Sequence, residues 1–288
     1  MKQKLGYYPG CSLQSTAIEY DWSLRGACEL LDLELQEIPD WNCCGASSAH
    51  SLNAMAGELL ALRNLVLAEQ AGLQQILVPC AACYNLQKTA EVNMRQGQAE
   101  FLAANDRMQQ TSGCSYQGGV AVLHPLDFLN RPEITERILQ QRKPLQGLHV
   151  AAYYGCLITR PSQVAFDDIE YPMSMDRILT KLGAQAVKWS YKTDCCGASL
   201  ALTKTAVVEK FTAHFVAMAR RAGAEAIVSA CPLCHSNLDT RQTAGSGSMP
   251  VFYFSELLGI SLGHRDAKQW LDKHIVDPLP LLQRLNIL

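Results

Sequence analysis

Ten of the twelve cysteines in this chain fall into two copies of one spacing pattern. The first copy is Cys11, then the adjacent pair Cys43-Cys44, then Cys80-Ala81-Ala82-Cys83. The second is Cys156, then Cys195-Cys196, then Cys231-Pro232-Leu233-Cys234. The gaps between them are 31 and 35 residues in the first copy and 38 and 34 in the second. Flanking residues repeat too. Tyr7-Tyr8-Pro9-Gly10-Cys11 answers Tyr153-Tyr154-Gly155-Cys156, and Cys-Cys-Gly-Ala-Ser stands at both 43–47 and 195–199. Any fold of this chain has to gather five thiols twice, and metal is the simplest reason to do so.

The alternative use of so many cysteines is disulfide bonding. It fits secreted chains, and this one starts Met1-Lys2-Gln3-Lys4-Leu5-Gly6, without the apolar core of a signal peptide. No apolar run reaches the roughly 18 residues of a membrane span. The expectation is a soluble, cytoplasmic protein, where ordinary thiols stay reduced. Adjacent cysteines are also poor disulfide partners for each other. Lys and Arg total 25 against 27 Asp and Glu, a net charge of -2. That balance argues against nucleic-acid binding, which needs a clustered basic excess.

The repeat occupies about half of the chain's 288 residues, too long for a solenoid unit, so two related domains are expected, 1–144 and 145–288. In the first, Leu5 to Tyr8 reads as a strand ending at Gly10-Cys11, and 15–32 carries a helical spacing. Leu35 to Ile38 and Ile76 to Val78 read as strands, separated by a helix with Leu59, Leu62, Leu65 and Val66 on one stripe. The second half repeats the order, with strands at 149–154, 186–189 and 226–228 and helices at 175–182 and around Val208 to Met218. Segment 103–119 reads as a loop between the halves, and 244–248 as a flexible loop. The alternation predicts two homologous α/β domains with short parallel sheets, related by a pseudo-two-fold. Each cysteine then sits where a strand ends and a helix begins, the place where open α/β sheets bind ligands. The two sets are expected to face a common cleft.

A Cys-x-x-Cys turn lets two thiolates converge on one metal atom, which suits zinc and iron–sulfur clusters alike. Adjacent cysteines at a helix start point in different directions, so they suit neighbouring atoms of a cluster. The N–H groups of the Gly45-Ala46-Ser47 and Gly197-Ala198-Ser199 turns can donate to sulfur. Structural zinc and a cubane [4Fe–4S] cluster each need four ligands, and each set offers five. Iron–sulfur, zinc and a thiol redox centre all stand as readings of the spacing, with iron–sulfur favoured by ligand softness and count.

The arrangement resembles the cysteine-rich CCG domains of the heterodisulfide reductase B subunit family, over most of the chain. The likeness runs through Tyr-Pro-Gly-Cys-Ser at 8–12, Trp41-Asn42-Cys43-Cys44-Gly45, Tyr-Tyr-Gly-Cys at 153–156 and Ala-Cys-Pro-Leu-Cys at 230–234. It continues in Tyr-Phe-Ser-Glu-Leu-Leu-Gly at 253–259. The resemblance implies a noncubane [4Fe–4S] cluster on each set. Its ligands would be Cys11, Cys43, Cys44, Cys80 and Cys83, then Cys156, Cys195, Cys196, Cys231 and Cys234. It also implies cleavage or formation of a disulfide between the clusters, or oxidation of protein-bound sulfur. Some related CCG proteins serve quinone-linked dehydrogenases or hold zinc in one set. The alternative is therefore a scaffold or electron-transfer subunit with zinc in one or both sets.

Other residues carry weaker signals. Cys28 reads as a core residue on a helix face, and Cys114 as a loop bystander or surface thiol. His50 and His235 follow cysteine motifs, where a proton donor for a leaving thiolate would fit, although solvated or capping histidines are commoner. Arg160 and Lys192 are candidates for holding an anion, or plain solvated cations. Tyr7, Tyr8, Tyr153 and Tyr154 are expected to pack around the metal sites. The chain has no ferredoxin cysteine run, Gly-x-Gly-x-x-Gly or P-loop. Electrons must then pass through partners, expected to be a ferredoxin-like iron–sulfur subunit and a flavin-bearing subunit.

Overall fold

The computed structural model describes residues 3–46, 49–242 and 247–288. Ser47, residues 244–246 of the expected flexible loop and the His50 side chain lie outside the described residues. The first half runs β1 (Gln3–Tyr7), α1 (Gly10–Leu13), α2 (Ile18–Leu30), β2 (Leu33–Glu37), α3 (Ala49–Leu52), α4 (Ala54–Gln70) and β3 (Gln75–Leu77). It continues with α5 (Ala81–Arg95), α6 (Ala99–Ser112), β4 (Ala121–Leu123), α7 (Pro125–Leu129) and α8 (Pro132–Gln141). The second half runs β5 (His149–Tyr153), α9 (Ser174–Lys181), β6 (Gln185–Ala186), α10 (Thr205–Arg221) and β7 (Ala226–Ser229). After these come α11 (Pro232–Thr240), β8 (Val251–Tyr253), α12 (Phe254–Ser261), α13 (Ala267–Leu271) and α14 (Leu279–Arg284).

Each half holds one parallel four-stranded sheet, ordered β2-β1-β3-β4 in the first and β6-β5-β7-β8 in the second. The topology is the same in both, as the repeated cysteine order requires. The central strands explain why the sheets are parallel and covered. Ala226, Ile227, Val228 and Ser229 are all buried, so β7 has no face for water and needs helices on both sides. The chain leaves the first strand of each sheet toward one side and returns to the other, so β1/β3 and β5/β7 are switch points. Ligands collect at the carboxyl ends of such strands.

Two expectations need correction. Segment 103–119 is not an inter-domain loop. Phe101, Ala104, Asn105 and Met108 recur at helical spacing and are buried on one face of α6, which ends at Gly113 in a left-handed cap with φ 72°. The polar run Gln109 to Ser112 is the last turn of that helix. The strand expected at 186–189 shrinks to Gln185–Ala186, an edge pairing with β5.

The halves clasp each other. Helix α12 of the second packs on α2 of the first, and α7 of the first packs on α9 of the second. Polar pairs tie both contacts. Ser23 and Ser255 place their Oγ atoms 2.7 Å apart, and Asn130 Nδ2 donates to the Ser174 carbonyl at 2.9 Å. On the axis, the Tyr20 hydroxyl lies 3.3 Å from both the Pro79 and the Ala230 carbonyl oxygens. Those residues immediately precede Cys80 and Cys231.

Candidate metal centre

All ten repeated cysteines come from the carboxyl ends of the first three strands of each sheet. Cys11 follows β1, Cys43-Cys44 follow β2, and Cys80 caps α5 after β3. Cys156, Cys195-Cys196 and Cys231 hold the matching places after β5, β6 and β7, with Cys231 capping α11. The Cys-x-x-Cys pairs thus stand at helix N-termini, where exposed N–H groups and the helix dipole favour thiolate. All twelve cysteines are free.

Within each set the thiols converge. Cys44 Sγ and Cys83 Sγ are 3.1 Å apart. Cys43 bonds Cys44, and Cys80 bonds Cys83. In the second set Cys156 bonds Cys195, while Cys234 bonds both Cys196 and Cys231. One contact crosses between sets, because the thiols of Cys80 and Cys231 lie against each other. The sets therefore meet at the axis instead of lying on opposite surfaces.

The adjacent pairs split as expected: Cys43 and Cys195 are exposed, Cys44 and Cys196 buried. They do not start helices, however. Each is followed by a left-handed glycine, Gly45 at φ 85° and Gly197 at φ 77°. This bend turns backbone N–H groups toward sulfur: Gly45 serves Cys43, Ala46 serves Cys44, and Gly197 and Ala198 serve Cys195. The Gly197 nitrogen is 3.4 Å from Cys195 Sγ. Cys44 is driven down to about 4, first by the Cys43 thiol and then by Cys83. Cys195 falls to about 6, chiefly because Cys156 donates to it.

Gly10 and Gly155 make room for the sulfurs. Both have left-handed backbone, φ 70° and 68°. A Cβ at Gly10 would meet Cys83 Sγ at 3.1 Å, and one at Gly155 would meet Cys234 Sγ at 2.9 Å. A side chain is thus excluded twice, by backbone conformation and by the neighbouring sulfur. Tyr8 and Tyr153 complete the match. Tyr8 donates its hydroxyl to the Asn42 carbonyl at 2.8 Å, and Tyr153 to the Asp194 carbonyl at 2.6 Å, each just ahead of the adjacent cysteines.

The second set lines a cavity of about 170 Å³, walled by Cys156, Cys195, Cys196, Cys231 and Cys234, with Ala81 of the first half in its rim. Five soft donors, N–H groups turned on sulfur and a cradle without side chains fit an iron–sulfur cluster.

The weaker candidates separate cleanly. Cys28 is buried in the core, and burial pushes its thiol up to about 12. Cys114 is half-buried and accepts from Gln70 Nε2 at 3.1 Å. His235 is neither solvated nor turned on the thiols. It is buried, stacks on Tyr253 and directs Nε2 to the Val251 carbonyl at 2.9 Å. Arg160 pairs on the surface with Glu170 at 2.9 Å. Lys192 is not a solvated cation: it is buried, bonds Asp176 at 2.7 Å and the Pro172 carbonyl at 2.9 Å, and faces the Tyr171 ring. Of the tyrosines, Tyr8, Tyr153 and Tyr154 adjoin the cysteine sets, whereas Tyr7 bonds Asp21. His124 and Tyr84 escaped sequence reasoning. His124 follows the fourth strand under the Pro79 carbonyl and caps α7, and only its equivalence to Tyr253 marks it.

Comparison with known proteins agrees with this geometry. The family described as Cysteine-rich domain, CCG, matches residues 5–86 and 150–239. The chain is 31% identical over 294 residues to the 8-methylmenaquinol:fumarate reductase membrane anchor subunit of Wolinella succinogenes, covering 98% of this chain and 100% of that one. It is 27% identical over 292 residues to the B subunit of the ferredoxin/F(420)H(2)-dependent CoB-CoM heterodisulfide reductase of Methanosarcina acetivorans, covering 98% and 97%. A solved hypothetical protein from Helicobacter pylori shares the fold with TM-score 0.70 at 11% identity, over 96% of this chain and 52% of that one. Among the described residues no helix is long and apolar enough to cross a membrane. Two copies of the domain, over chains of matching length, place the protein: it belongs to the CCG cysteine-rich domain family, alongside the B subunits of heterodisulfide reductases.

Proposed function

We propose that this chain is the catalytic subunit of a cytoplasmic heterodisulfide reductase-like complex. Cys11, Cys43, Cys44, Cys80 and Cys83 would hold one noncubane [4Fe–4S] cluster, and Cys156, Cys195, Cys196, Cys231 and Cys234 the other. On this reading residues 1–144 and 145–288 each supply one seat. The observation that carries it is the contact of Cys80 with Cys231, which puts both sets within reach of one substrate. When bound, the clusters would supply electrons and iron sites able to capture sulfur.

The chain's own residues do the rest. The Gly45, Ala46, Gly197 and Ala198 N–H groups stabilise negative charge on the cysteine sulfurs. Tyr8 and Tyr153 brace the adjacent cysteines from behind. The cavity beside the second set, with little polar lining besides sulfur, admits a sulfur-bearing group and limits water. Reducing a disulfide consumes two electrons and two protons. The electrons would come from a ferredoxin-like iron–sulfur subunit and a flavin-bearing subunit; the same chemistry reversed would form a disulfide or oxidise protein-bound sulfur.

A second reading rests on the Wolinella relative, named as a subunit of a quinol-linked reductase. There the chain would be a scaffold or electron-transfer subunit, with zinc in one or both sets. Iron, sulfide and zinc analysis of anaerobically purified protein separates the two. About four irons per set with acid-labile sulfide is expected. One zinc per set without sulfide would overturn the catalytic reading.

A further inference from the structure

Where α11, α12 and the segment after α13 come together lies a second group of metal-binding side chains. His235 projects from α11, Glu256 is the third residue of α12, and His274 follows α13. One ligand atom from each lies within 4.8 Å of the other two. All three side chains are buried. Glu256 belongs to the Tyr-Phe-Ser-Glu-Leu-Leu-Gly stretch at 253–259, which the cysteine chemistry leaves without a role. We propose that His235, Glu256 and His274 form a binding site for a divalent transition-metal ion, zinc above all, distinct from the two cysteine sets.

The ligand set is right in kind. Two imidazoles and one carboxylate are a recurrent zinc combination, with a further position for water or another carboxylate. Around a tetrahedral ion the donors would stand roughly 3.5 Å apart, so the widest separation has to close by about an ångström.

The surroundings orient the donors as outer-shell partners of a metal do. His235 Nε2 meets the Val251 carbonyl at 2.9 Å, which makes that nitrogen the N–H and leaves Nδ1 as the donor. One oxygen of Glu256 accepts the Tyr253 N–H at 2.8 Å, and the other faces His274 Nε2 at 2.8 Å. Asp239, one turn beyond His235, accepts the N–H groups of Ile275 at 2.7 Å and Val276 at 3.0 Å, pinning the backbone next to His274.

A simple buried His–Glu ion pair is the competing account, and two observations exceed it. His274 Nδ1 is buried with no hydrogen-bond partner among the described residues, so only the bond at Nε2 fixes the ring and either nitrogen can be turned to an ion. Charge is the second. Asp239 and Glu256 are both buried in the neighbourhood of His274, which brings at most one positive charge against these two carboxylates. Buried negative charge in excess is costly, and a divalent cation offsets it. The carboxylate and imidazole donors suit zinc and disfavour soft Cu(I), which thiolates and thioethers select.

The test uses the full chain purified anaerobically with its cysteine sets as found, dialysed against zinc. Diffraction data across the zinc absorption edge should show an anomalous peak among His235, Glu256 and His274. His274→Gln and Glu256→Gln should each lose about one zinc per chain while iron and sulfide stay unchanged. Cobalt soaked into this site should give visible bands without thiolate-to-metal charge transfer. Zinc found only at cysteine sulfur, or no peak among the three residues in the wild-type crystal, would overturn the proposal. That result would leave the reading of the cysteine sets untouched, since nothing here depends on what they hold.

Discussion

The Tyr253 ring lies flat on Tyr20, with centroids 4.2 Å and planes 9° apart. Tyr253 ends the last strand of one half, and Tyr20 stands on the first long helix of the other. The same relation recurs across the pseudo-two-fold, where Phe166 stacks on His124 at 5.5 Å and 9°. His235 stacks on Tyr253, and Tyr84 meets His124 edge-on. Two three-ring groups therefore flank the axis where Cys80 and Cys231 meet. Such ring pairs contribute about 0.5–1.5 kcal/mol each beyond their buried area.

Replacing Cys196 with Ser is expected to remove the metal of the second set and leave that of the first in place. Each set closes within its own half, apart from the single contact at the axis. Iron counts on the variant and on Cys44→Ser check this. Loss of iron from both sets after either change would show shared ligation instead.

Gly155→Ala should act on the same set without replacing a ligand. The new methyl would meet Cys234 Sγ at 2.9 Å, on backbone already at φ 68°. Gly223→Ala is the control: φ is 88° there, with nothing within 4 Å of the added carbon. Both variants should lose about 1–2 kcal/mol to backbone strain in urea unfolding. Only Gly155→Ala should lose metal.

His124 makes the fold sensitive to acid. Its Nε2–H faces the Pro79 carbonyl and its Nδ1 accepts the Leu126 N–H, so the buried ring has to stay neutral. Burial holds its pKa down at about 4, against an ordinary 6.5. A depressed base binds fewer protons when folded, so its contribution is complete above pH 6.5 and is lost as pH falls toward 4. The loss should reach about 2–3 kcal/mol by pH 4.5. Urea midpoints from pH 7.5 to 4.5 should fall less steeply in His124→Gln than in the wild type.

Lys192→Met should be among the most damaging changes away from the cysteines. It strands Asp176, whose side chain is only 5% exposed, without its counter-charge. About 3–5 kcal/mol is the expected loss in urea unfolding. Adding Asp176→Leu should recover much of it, although Tyr154 loses its acceptor. Should the double variant be weaker than Lys192→Met alone, the pair is not what stabilises this corner.

Much of the site was legible in the sequence because thiols are rare and their spacing records strand ends. The ten cysteines, the turn glycines and the parallel α/β plan all follow from it. What stayed hidden depends on tertiary partners. Helix α6 ends in Gln, Gln, Thr and Ser, whose polarity imitates a loop, and its buried face is only Phe101, Ala104, Asn105 and Met108. β4 has three residues, too few for a periodic signal. Lys192 looks like any surface lysine until Asp176, 16 residues upstream, is folded beneath it.

The reciprocal grip of α12 on α2 and of α7 on α9 has one more consequence. Two arms reaching in opposite directions tie the halves at two places, and one hydroxyl, that of Tyr20, touches the backbone beside both cysteine sets. The spacing of the two sets is therefore set by the same contacts that join the halves, like the jaws of a caliper. On the proposed function, a molecule that must touch both would be sorted by its own length, before any chemistry begins.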